Sequence, residues 1–280
     1  MNQNKAALFS VAELKKQANE TRKDIIRMTA AAGSGHPGGS LSAADIVTAL
    51  YFRILKHDPK NPNWADRDRF ILSKGHASPV LYSALAHSGY FSPDQLITFR
   101  KLTSPLQGHP DRRRIPGLEA STGSLGQGLS IGIGIALARR LQSRDFWTYV
   151  MMSDGEMDEG QTWEGAAFAA HHKIDHLILI IDYNKFQLSD STEKILNMEP
   201  LADKWKSFNW HVEELDGHNM DEVVRHLESA KKISGKPITL IAHTIKGKGV
   251  SFMENNNHFH GVAPTAEEAK RALEELERVK

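Results

Sequence analysis

The sequence places a carboxylate and an amide directly after two apolar stretches. Asp154 lies in the acidic turn that follows residues 146–152, and Asn184 follows residues 177–182. Both stretches predict buried strands joined by a helix, and parallel strands so connected bring their carboxyl ends to one sheet edge, where ligands bind. Carboxylate and amide oxygens suit a hard cation such as Mg²⁺, which completes its shell with phosphate and water. The residues themselves therefore predict a Mg²⁺–diphosphate site.

Histidine stands beside glycine at four places in predicted loops. These pairs are Gly35-His36, Gly75-His76, Gly108-His109 and His260-Gly261. Glycine lets the backbone approach a ligand closely, and imidazole donates, accepts or shuttles a proton near neutral pH. Any one such histidine is more often a cap or a partner of a carbonyl than a catalytic group. The recurrence of the pair favours a common site for the group.

Three other patterns are weaker indications of a functional site. His258 and His260 alternate with an aromatic residue, but no third ligand of suitable spacing follows, so a metal is disfavoured there. The arginine run 112–114 is more typical of a solvated loop than of a phosphate grip. Gly132 and Gly134 fall inside a predicted helix, which is a poor match to a dinucleotide-binding turn and indicates close packing.

The elements that must position these residues follow from apolar periodicity. Helices are predicted over 11–32, 43–55, 79–87, 129–141, 221–233 and 265–280, and strands over 69–72, 146–152, 177–182, 210–215 and 238–243. Ser40 or Ser42 is expected to cap the second helix, and Thr265-x-x-Glu268 forms a capping box for the last. Residues 33–39 and 100–128 are too rich in glycine or proline to be regular.

The two central strands are apolar almost throughout, which favours a mainly parallel sheet covered by helices on both faces. The predicted fold class is therefore a three-layer α/β domain. A chain of 280 residues is long enough for a substantial core, and no linker or repeat divides it, so residues 1–280 are expected to form a single domain.

Composition narrows the class of protein. A net charge of +1 gives no electrostatic reason to expect nucleic acid or a membrane surface as a partner. The absence of cysteine excludes disulfides and thiolate chemistry. The first nine residues lack the pattern of a signal peptide, and apolar stretches such as 131–138 are too short to span a bilayer. We therefore expect a cytoplasmic protein.

Taken together, the motifs resemble a known family. The turn Ser153-Asp-Gly-Glu156, followed one strand later by Asn184, is similar to the motif shared by thiamine-diphosphate enzymes. The loops that resemble transketolase specifically are 33–38, 73–77, 108–110 and 121–128, with 244–249 and 260–261 extending the resemblance. It covers roughly residues 20–264. The order of all these motifs is more specific than the acidic turn, which the other thiamine-diphosphate enzymes share.

The resemblance implies a role for each motif residue. The expected ligands of Mg²⁺, or of Ca²⁺ or Mn²⁺ in its place, are Asp154, Asn184 and the carbonyl of Phe186. The expected diphosphate contacts are Gly155, Lys246, His76 and His260, and the expected contacts to the pyrimidine and thiazolium region are Gly123, Ser124 and Leu125. The residues expected to contact substrate hydroxyls and the reacting carbon are His36, His109 and His260.

Glu159 matches a glutamate that the family uses in a proton network between two active sites. An exposed carboxylate favoured by the helix dipole is the alternative interpretation. The chain departs from the family pattern at Ser153, where the family has glycine. That change either tightens the turn or is merely tolerated.

The larger departure concerns what transketolases carry after this region, a pyrimidine-binding domain whose glutamate activates the cofactor. The chain therefore resembles the N-terminal subunit of a split transketolase of the pentose phosphate pathway. We expect it to form an α2β2 assembly with a separate C-terminal subunit. This complex is expected to transfer a two-carbon ketol unit from a ketose phosphate to an aldose phosphate.

Alternatives to this interpretation are half of another thiamine-diphosphate enzyme, such as a 2-oxoacid dehydrogenase α subunit or a protein like deoxyxylulose-phosphate synthase. A transketolase specialised for branched or sulfonated sugars and a non-catalytic cofactor-binding module also remain open at this point.

Overall fold

The computed structural model describes residues 8–279, which are built around a five-stranded sheet. Its strands are β1 (Arg69–Leu72), β2 (Thr148–Ser153), β3 (Leu177–Tyr183), β4 (His211–Asp216) and β5 (Ile238–His243). The order across the sheet is β1-β2-β3-β5-β4, and every neighbouring pair is parallel. The predicted α/β class with a parallel sheet is confirmed.

Ten α-helices are found in the described part of the chain. They are α1 (Val11–Ala32), α2 (Pro37–Ser42), α3 (Ala44–Ala49), α4 (Ser78–His87), α5 (Gln127–Leu141), α6 (Gly160–His171), α7 (Thr192–Ile195), α8 (Leu201–Ser207), α9 (Met220–Ala230) and α10 (Ala266–Glu277). Short 3-10 turns occupy Gly75–Ala77, Pro93–Thr98, Gly155–Asp158 and Asn257–His260. Most of the segment 100–128 is irregular, as predicted.

The sheet buries both of its faces because successive side chains of a strand point to opposite sides. Tyr149 and Met151 of β2 join a core formed with α1, α3, α4, α9 and α10. Val150 and Met152 join a second core formed with α5, α6 and α8. The near-continuous apolar sequence of the central strands is therefore explained by a three-layer arrangement.

The two edges of the sheet differ from its centre. β1 is only four residues long. β4 is mostly half-buried or exposed, and of its residues only Leu215 is buried. Polar side chains such as His211 and Glu213 occupy this edge strand and bond to each other at 2.9 Å.

The glycine-rich segment 33–39 is more regular than predicted. Gly33 ends α1 with a left-handed φ of 59°, the usual way in which glycine stops a helix. The chain then re-enters a helix at Pro37, whose fixed φ suits a first helical position and whose missing N–H costs no hydrogen bond there. The prediction of irregular structure was therefore wrong for residues 37–39.

The serine caps predicted for the next helix were also wrong. Ser40 and Ser42 lie within α2 and are buried, and the Oγ atom of Ser40 donates to the carbonyl of His36 at 2.7 Å. The predicted helix 43–55 divides into α3 and a π-helical turn, Leu50–Ile54. Ser40 thus bonds within its own helix, and Ser42 makes a tertiary contact by donating to Asp182 of β3 at 2.6 Å.

The C-terminal helix α10 begins with the predicted capping box, in which Thr265 and Glu268 exchange hydrogen bonds with each other's backbone. The sequence also predicts a solvated helix with ion pairs at i,i+4 spacing, Glu267–Arg271 and Glu274–Arg278. The helix is less solvated than that, because Ala269, Ala272 and Leu276 are buried. The expected ion pairs within this helix do not form; Glu277 instead pairs with Lys23 of α1 at 3.0 Å. Packing against α1 therefore accounts for the stability of this helix better than intrahelical charge pairs.

Across the described residues, no helix is both long enough and apolar enough to cross a bilayer. The expectation that the chain lacks a signal peptide falls largely on residues 1–7, which lie outside the described part. The expectation of a single domain spanning 1–280 stays a prediction.

Gly132 and Gly134 provide a matched test of how α5 packs on the sheet. A methyl group at Gly132 would lie 2.4 Å from Cγ2 of Val150, whereas one at Gly134 would meet nothing within 4 Å. We expect Gly132→Ala to lower the free energy of unfolding by about 1–3 kcal/mol through overpacking. Gly134→Ala should raise it by up to about 1 kcal/mol, because alanine favours the helix. Urea unfolding measures both, and equal effects would contradict this packing.

Candidate active site

Two turns meet at the carboxyl edge of β2 and β3. Asp154 accepts hydrogen bonds from the backbone N–H groups of Gly155 at 3.0 Å and Lys185 at 2.6 Å. In the second turn, the side-chain oxygen of Asn184 accepts from the N–H of Phe186 at 3.2 Å. The bond from Lys185 to Asp154 joins one turn to the other. The juxtaposition predicted from the strand ends is present in the structure.

The carboxylate of Asp154 is buried and forms no ion pair with any residue between 8 and 279. Burial and the negative charge of Asp182 raise the pKa of Asp154 to about 7. A cation placed beside this carboxylate would favour its ionised form. The side chain therefore has the properties of a ligand that binds a cation by giving up a proton.

The remaining groups at this edge fit the predicted cation site. A Cβ atom added at Gly155 would lie 3.8 Å from the carbonyl oxygen of Phe186 and 2.8 Å from Cβ of Gln187, so this oxygen lies next to the acidic turn and only glycine fits at position 155. Between residues 8 and 279 no three His, Asp or Glu side chains converge as a metal site. A cation would therefore rely on Asp154, amide and carbonyl oxygens and the oxygens of its ligand, which is the donor set that Mg²⁺ prefers.

Asp182 organises the layer beneath this edge. It is fully buried and accepts hydrogen bonds from Lys74, Ser42, Thr244 and the side-chain amide of Asn184. Burial opposes its ionisation, but the ammonium group of Lys74 and these hydrogen bonds hold the pKa of Asp182 below its ordinary value. Since the amide nitrogen of Asn184 is bound to Asp182, its oxygen is left for the turn and for a ligand.

The four glycine–histidine loops converge in space. The imidazole centroid of His36 lies 5.1 Å from that of His76, 5.8 Å from that of His260 and 6.5 Å from that of His109. The rings of His76 and His260 stack at 5.4 Å. Loops that are far apart in the sequence thus supply one polar cluster, as the recurrence of the pairs suggested.

Burial keeps the whole cluster uncharged. It lowers the pKa of His36 to about 4 and that of His260 to about 3, with neighbouring cationic side chains adding to the effect. It also lowers the pKa of His76 and of His109. A neutral imidazole has one donor and one acceptor nitrogen, so the cluster can pair with several hydroxyl groups at pH 7.

Lys246 connects the histidine cluster to the segment after β3, where its Nζ donates to the carbonyl of Gln187 at 3.4 Å. Its Nζ donates to Nδ1 of His260 at 2.6 Å and to the side-chain oxygen of Asn257 at 2.8 Å. Burial lowers the pKa of Lys246 to about 7. An added Cβ at Gly38 would lie 3.2 Å from Cγ of Lys246, so glycine makes room for this side chain. An anionic ligand would restore the full charge of the lysine.

The loop 121–126 closes another side of the cluster. Gly123 has a φ of 150°, and a Cβ atom there would lie 2.9 Å from Cδ2 of His109. Ser124 is exposed and Leu125 is half-buried next to it. Of these three predicted contacts, the structure places Gly123 against another predicted site residue.

Glu159 lies at the start of α6. It is exposed, occupies the N-cap position of α6, and makes no side-chain hydrogen bond to the described residues. Its Cβ atom is close to Gly126, where an added Cβ would lie 2.6 Å away. The position is compatible with a role at a surface or an interface rather than within the cluster.

Sequence reasoning missed the buried charges that support the site. Besides Lys74 and Asp182, these include Glu156, which accepts from Ser73 and from the N–H of Gly126 at 2.8 Å. Burial raises the pKa of Glu156 to about 7. Its carboxylate braces the acidic turn against the loop 121–126. The sequence signal available for these charges is Asp182, an acidic residue directly after the apolar run 177–181.

Ser153 causes no strain in place of the family glycine. It is the last residue of β2, where the backbone is extended, and its N–H donates to Glu156 at 3.3 Å. An extended backbone accepts any side chain except proline without a conformational penalty. The structure therefore shows tolerance of serine at this position.

The buried pair of Lys74 and Asp182 yields a stability prediction. Replacing Lys74 by methionine would leave an uncompensated buried carboxylate, and we expect a loss of about 3–5 kcal/mol in the free energy of unfolding. Lys194→Met is the matched control, because its 3.0 Å pair with Asp190 is exposed and such pairs contribute about 0–1 kcal/mol. Urea denaturation of both variants checks the difference; similar losses would argue against a stabilising role for the buried pair.

The parallel sheet and the polar turns at its carboxyl edge define an α/β domain that binds a ligand at this edge. Residues 14–277 match the family described as "Transketolase, thiamine diphosphate binding domain". The chain belongs to this transketolase family. Members named transketolase are transferases, so the predicted family and enzyme class are confirmed.

Relatives of similar length are subunits. The chain is 47% identical over 266 residues to the 6-deoxy-6-sulfo-D-fructose transketolase subunit SqwG of Clostridium sp. (strain MSTE9), covering 95% of this chain and 97% of that protein. It is 41% identical to an apulose-4-phosphate transketolase subunit of Phocaeicola vulgatus, covering 96% and 95% of the two chains. These matches confirm the prediction of a transketolase N-terminal half.

Longer relatives match over part of their length. Human transketolase is 36% identical over 94% of this chain, which spans only 42% of that protein. The crystal structure of transketolase from Campylobacter jejuni subsp. jejuni superposes with a TM-score of 0.91 at 35% identity, covering 96% of this chain and 43% of that one. The fold is therefore that of one region of a longer enzyme.

Proposed function

We propose that this chain is the cofactor-binding subunit of a two-chain transketolase. With a separate C-terminal subunit it transfers a two-carbon ketol unit from a ketose phosphate to an aldose phosphate. The observation that carries this proposal is the convergence of four neutral histidines, of which His260 bonds to Lys246, a lysine within the electrostatic influence of Asp154. The names of the relatives of equal length, each called a subunit, support the division into two chains.

The proposed cofactors are thiamine diphosphate and Mg²⁺, with Ca²⁺ or Mn²⁺ as substitutes. Asp154, Asn184 and the carbonyl of Phe186 hold the metal. The groups that hold the diphosphate and the rings of the cofactor are Gly155, Lys246, His76, His260, Gly123, Ser124 and Leu125. When bound, the cofactor supplies a thiazolium ring that stabilises negative charge on carbon. The chain contributes orientation and a pocket of fixed polarity.

The proposed role of the histidines is to bind and exchange protons at substrate hydroxyls. His36, His109 and His260 are neutral near pH 7, so each can accept a proton from a hydroxyl or donate one to it. Nδ1 of His36 is buried and has no hydrogen-bond partner in the described residues, which leaves it available. Glu159 is proposed to link two active sites across a subunit interface, which its exposed position permits.

The assembly is proposed to be an α2β2 heterotetramer with closed symmetry. We further propose a cytoplasmic location. We also propose that neither nucleic acid nor a membrane is a partner, since a net charge of +1 gives no electrostatic attraction to either. With ordinary sugar phosphates as substrates, the proposed metabolic context of the complex is the pentose phosphate pathway.

A specialised sugar is the second candidate. Identity to the sulfofructose and apulose-phosphate subunits, at 47% and 41%, exceeds the 36% to human transketolase. This difference favours a transketolase for sulfonated or branched sugars over the general enzyme. Assaying one reconstituted complex with both kinds of donor would separate the two candidates.

The first functional prediction concerns the need for a second chain. We expect the isolated chain to show no ketol transfer and the mixture with its C-terminal subunit to be active, because the described site lacks a group that would activate the thiazolium ring. A coupled assay of aldehyde release from a ketose phosphate measures this. Full activity of the isolated chain would overturn the two-subunit proposal.

The second prediction concerns Asp154. Asp154→Ala should weaken Mg²⁺ binding at fixed thiamine diphosphate by more than roughly a hundredfold. Loss of a residue that only orients a metal ligand costs roughly tenfold to a hundredfold in metal affinity, and Asp154 is a proposed ligand itself. In the wild type, the affinity for Mg²⁺ should fall as the pH drops through about 7, because Asp154 gains a proton there and loses the charge that binds the cation. Calorimetry tests both. Glu164→Ala, an exposed change on α6, is the control, and equal affinities of the two variants would place the metal elsewhere.

A further inference from the structure

We propose that Arg100 is a positioning residue of this site: it ties together the loops that carry His36 and His109 and holds a positive charge beside both imidazoles. The role refines the proposed transketolase function, on which its kinetic consequences rest. The structural part can be tested in the isolated chain, without any assumption about the reaction.

The backbone of Arg100 is held in an uncommon conformation. Its φ of 60° is left-handed, which is uncommon for a residue with a side chain. Its N–H donates to the carbonyl of Leu106 at 2.8 Å, which closes the turn that leads to Gly108. A non-glycine residue in this conformation marks a position that the surrounding structure fixes, often at a functional site.

The guanidinium group spans the two loops. Its Nη1 donates to Oγ of Ser34 at 2.8 Å, two residues before His36. On the other side it lies against Gly108, where an added Cβ would be 2.7 Å from Cζ of Arg100. Gly108 directly precedes His109. One planar side chain therefore contacts the segment before each histidine and sets the spacing between them.

The charge of Arg100 is not neutralised locally. In the described part of the chain it forms no ion pair, and its buried Nε has no hydrogen-bond partner. The groups packed around it are the ring of Phe99, with the centroid 5.5 Å from Cζ, and Tyr82, whose hydroxyl donates to Gln107. Burial lowers the pKa of Arg100, but a guanidinium remains charged in proteins.

This charge acts on both histidines. Burial is the largest cause of the lowered pKa of His36, and the charge of Arg100 is the second, ahead of His109 and Lys246. It is the one cause besides burial that lowers the pKa of His109. His76 and His260 also face His36, but both are neutral, and neither replaces the charge of Arg100. Arg100 therefore favours the uncharged forms that proton exchange with hydroxyls requires.

The direct test follows histidine titration by NMR in the isolated chain. Arg100→Met keeps the length of the side chain and removes its charge, so the pKa of His36 and of His109 should rise. Arg113→Met is the matched control, because Arg113 is an exposed arginine paired with Asp111 at 3.1 Å, and it should leave both values in place. Unchanged titration in a folded Arg100→Met protein would overturn the proposal, whatever the reaction.

Arg100→Lys separates charge from geometry and guards against a variant that does not fold. It retains the positive charge but not the planar group that bridges the loops. The pKa values of both histidines should stay close to those of the wild type. A rise equal to that in the methionine variant would show that charge is not the cause and would contradict the proposal.

The kinetic test uses the complex with the C-terminal subunit. Arg100→Met should shift the acidic limb of kcat/KM to higher pH, because the histidines must be neutral and now protonate more readily. Arg100→Lys should keep the position of that limb but lower kcat/KM by roughly tenfold to a hundredfold through misplacement. If the NMR shifts occur and the acidic limb does not move, the positioning role in catalysis fails. A wild-type complex with no ketol transfer would instead refute the proposed function.

Discussion

The buried contact between Asp182 and Lys74 is the interaction on which the site depends. The two residues lie 108 positions apart and are fully buried, and Lys74 also donates to the carbonyl of Gly39 at 2.8 Å. Through Ser42 and Thr244 the same carboxylate reaches α2 and the segment after β5. One charge pair thus fixes the segments that carry His36, His76, the amide of the second turn and Lys246. A buried pair of this kind specifies relative placement more than it adds net stability.

Two titratable side chains of the site are poised between their charged and neutral forms. Asp154 and Lys246 both have pKa values of about 7, shifted in opposite directions from their ordinary ranges chiefly because both are buried. Each is therefore readily brought to its charged form by a partner of opposite sign. The histidines of the cluster are neutral. The site is electrostatically prepared for a ligand that contains both a cation and an anion, and it presents uncharged imidazoles where sugar hydroxyls would lie.

Local patterns predicted the sheet well because strand burial leaves a continuous apolar signal. The position of Asp154 and Asn184 followed from the geometry of parallel strands, and the shared loop context of the histidines indicated their convergence. The sequence did not reveal that Pro37 would start a helix within a glycine-rich segment. It also did not reveal the contacts of Lys74 or Arg100, since these depend on partners far along the chain. Such pairings are set by tertiary packing and leave no periodic pattern.

The edge strands of the sheet constrain how another chain can attach. β1 is short, and β4 presents His211, Glu213 and Glu214 along its length. Charged side chains and short edges oppose the addition of a further strand. Extension of the sheet by β-augmentation is therefore disfavoured on both sides, and so is edge-to-edge aggregation. A partner would bind through helices and loops, at surfaces that can separate without breaking a backbone ladder.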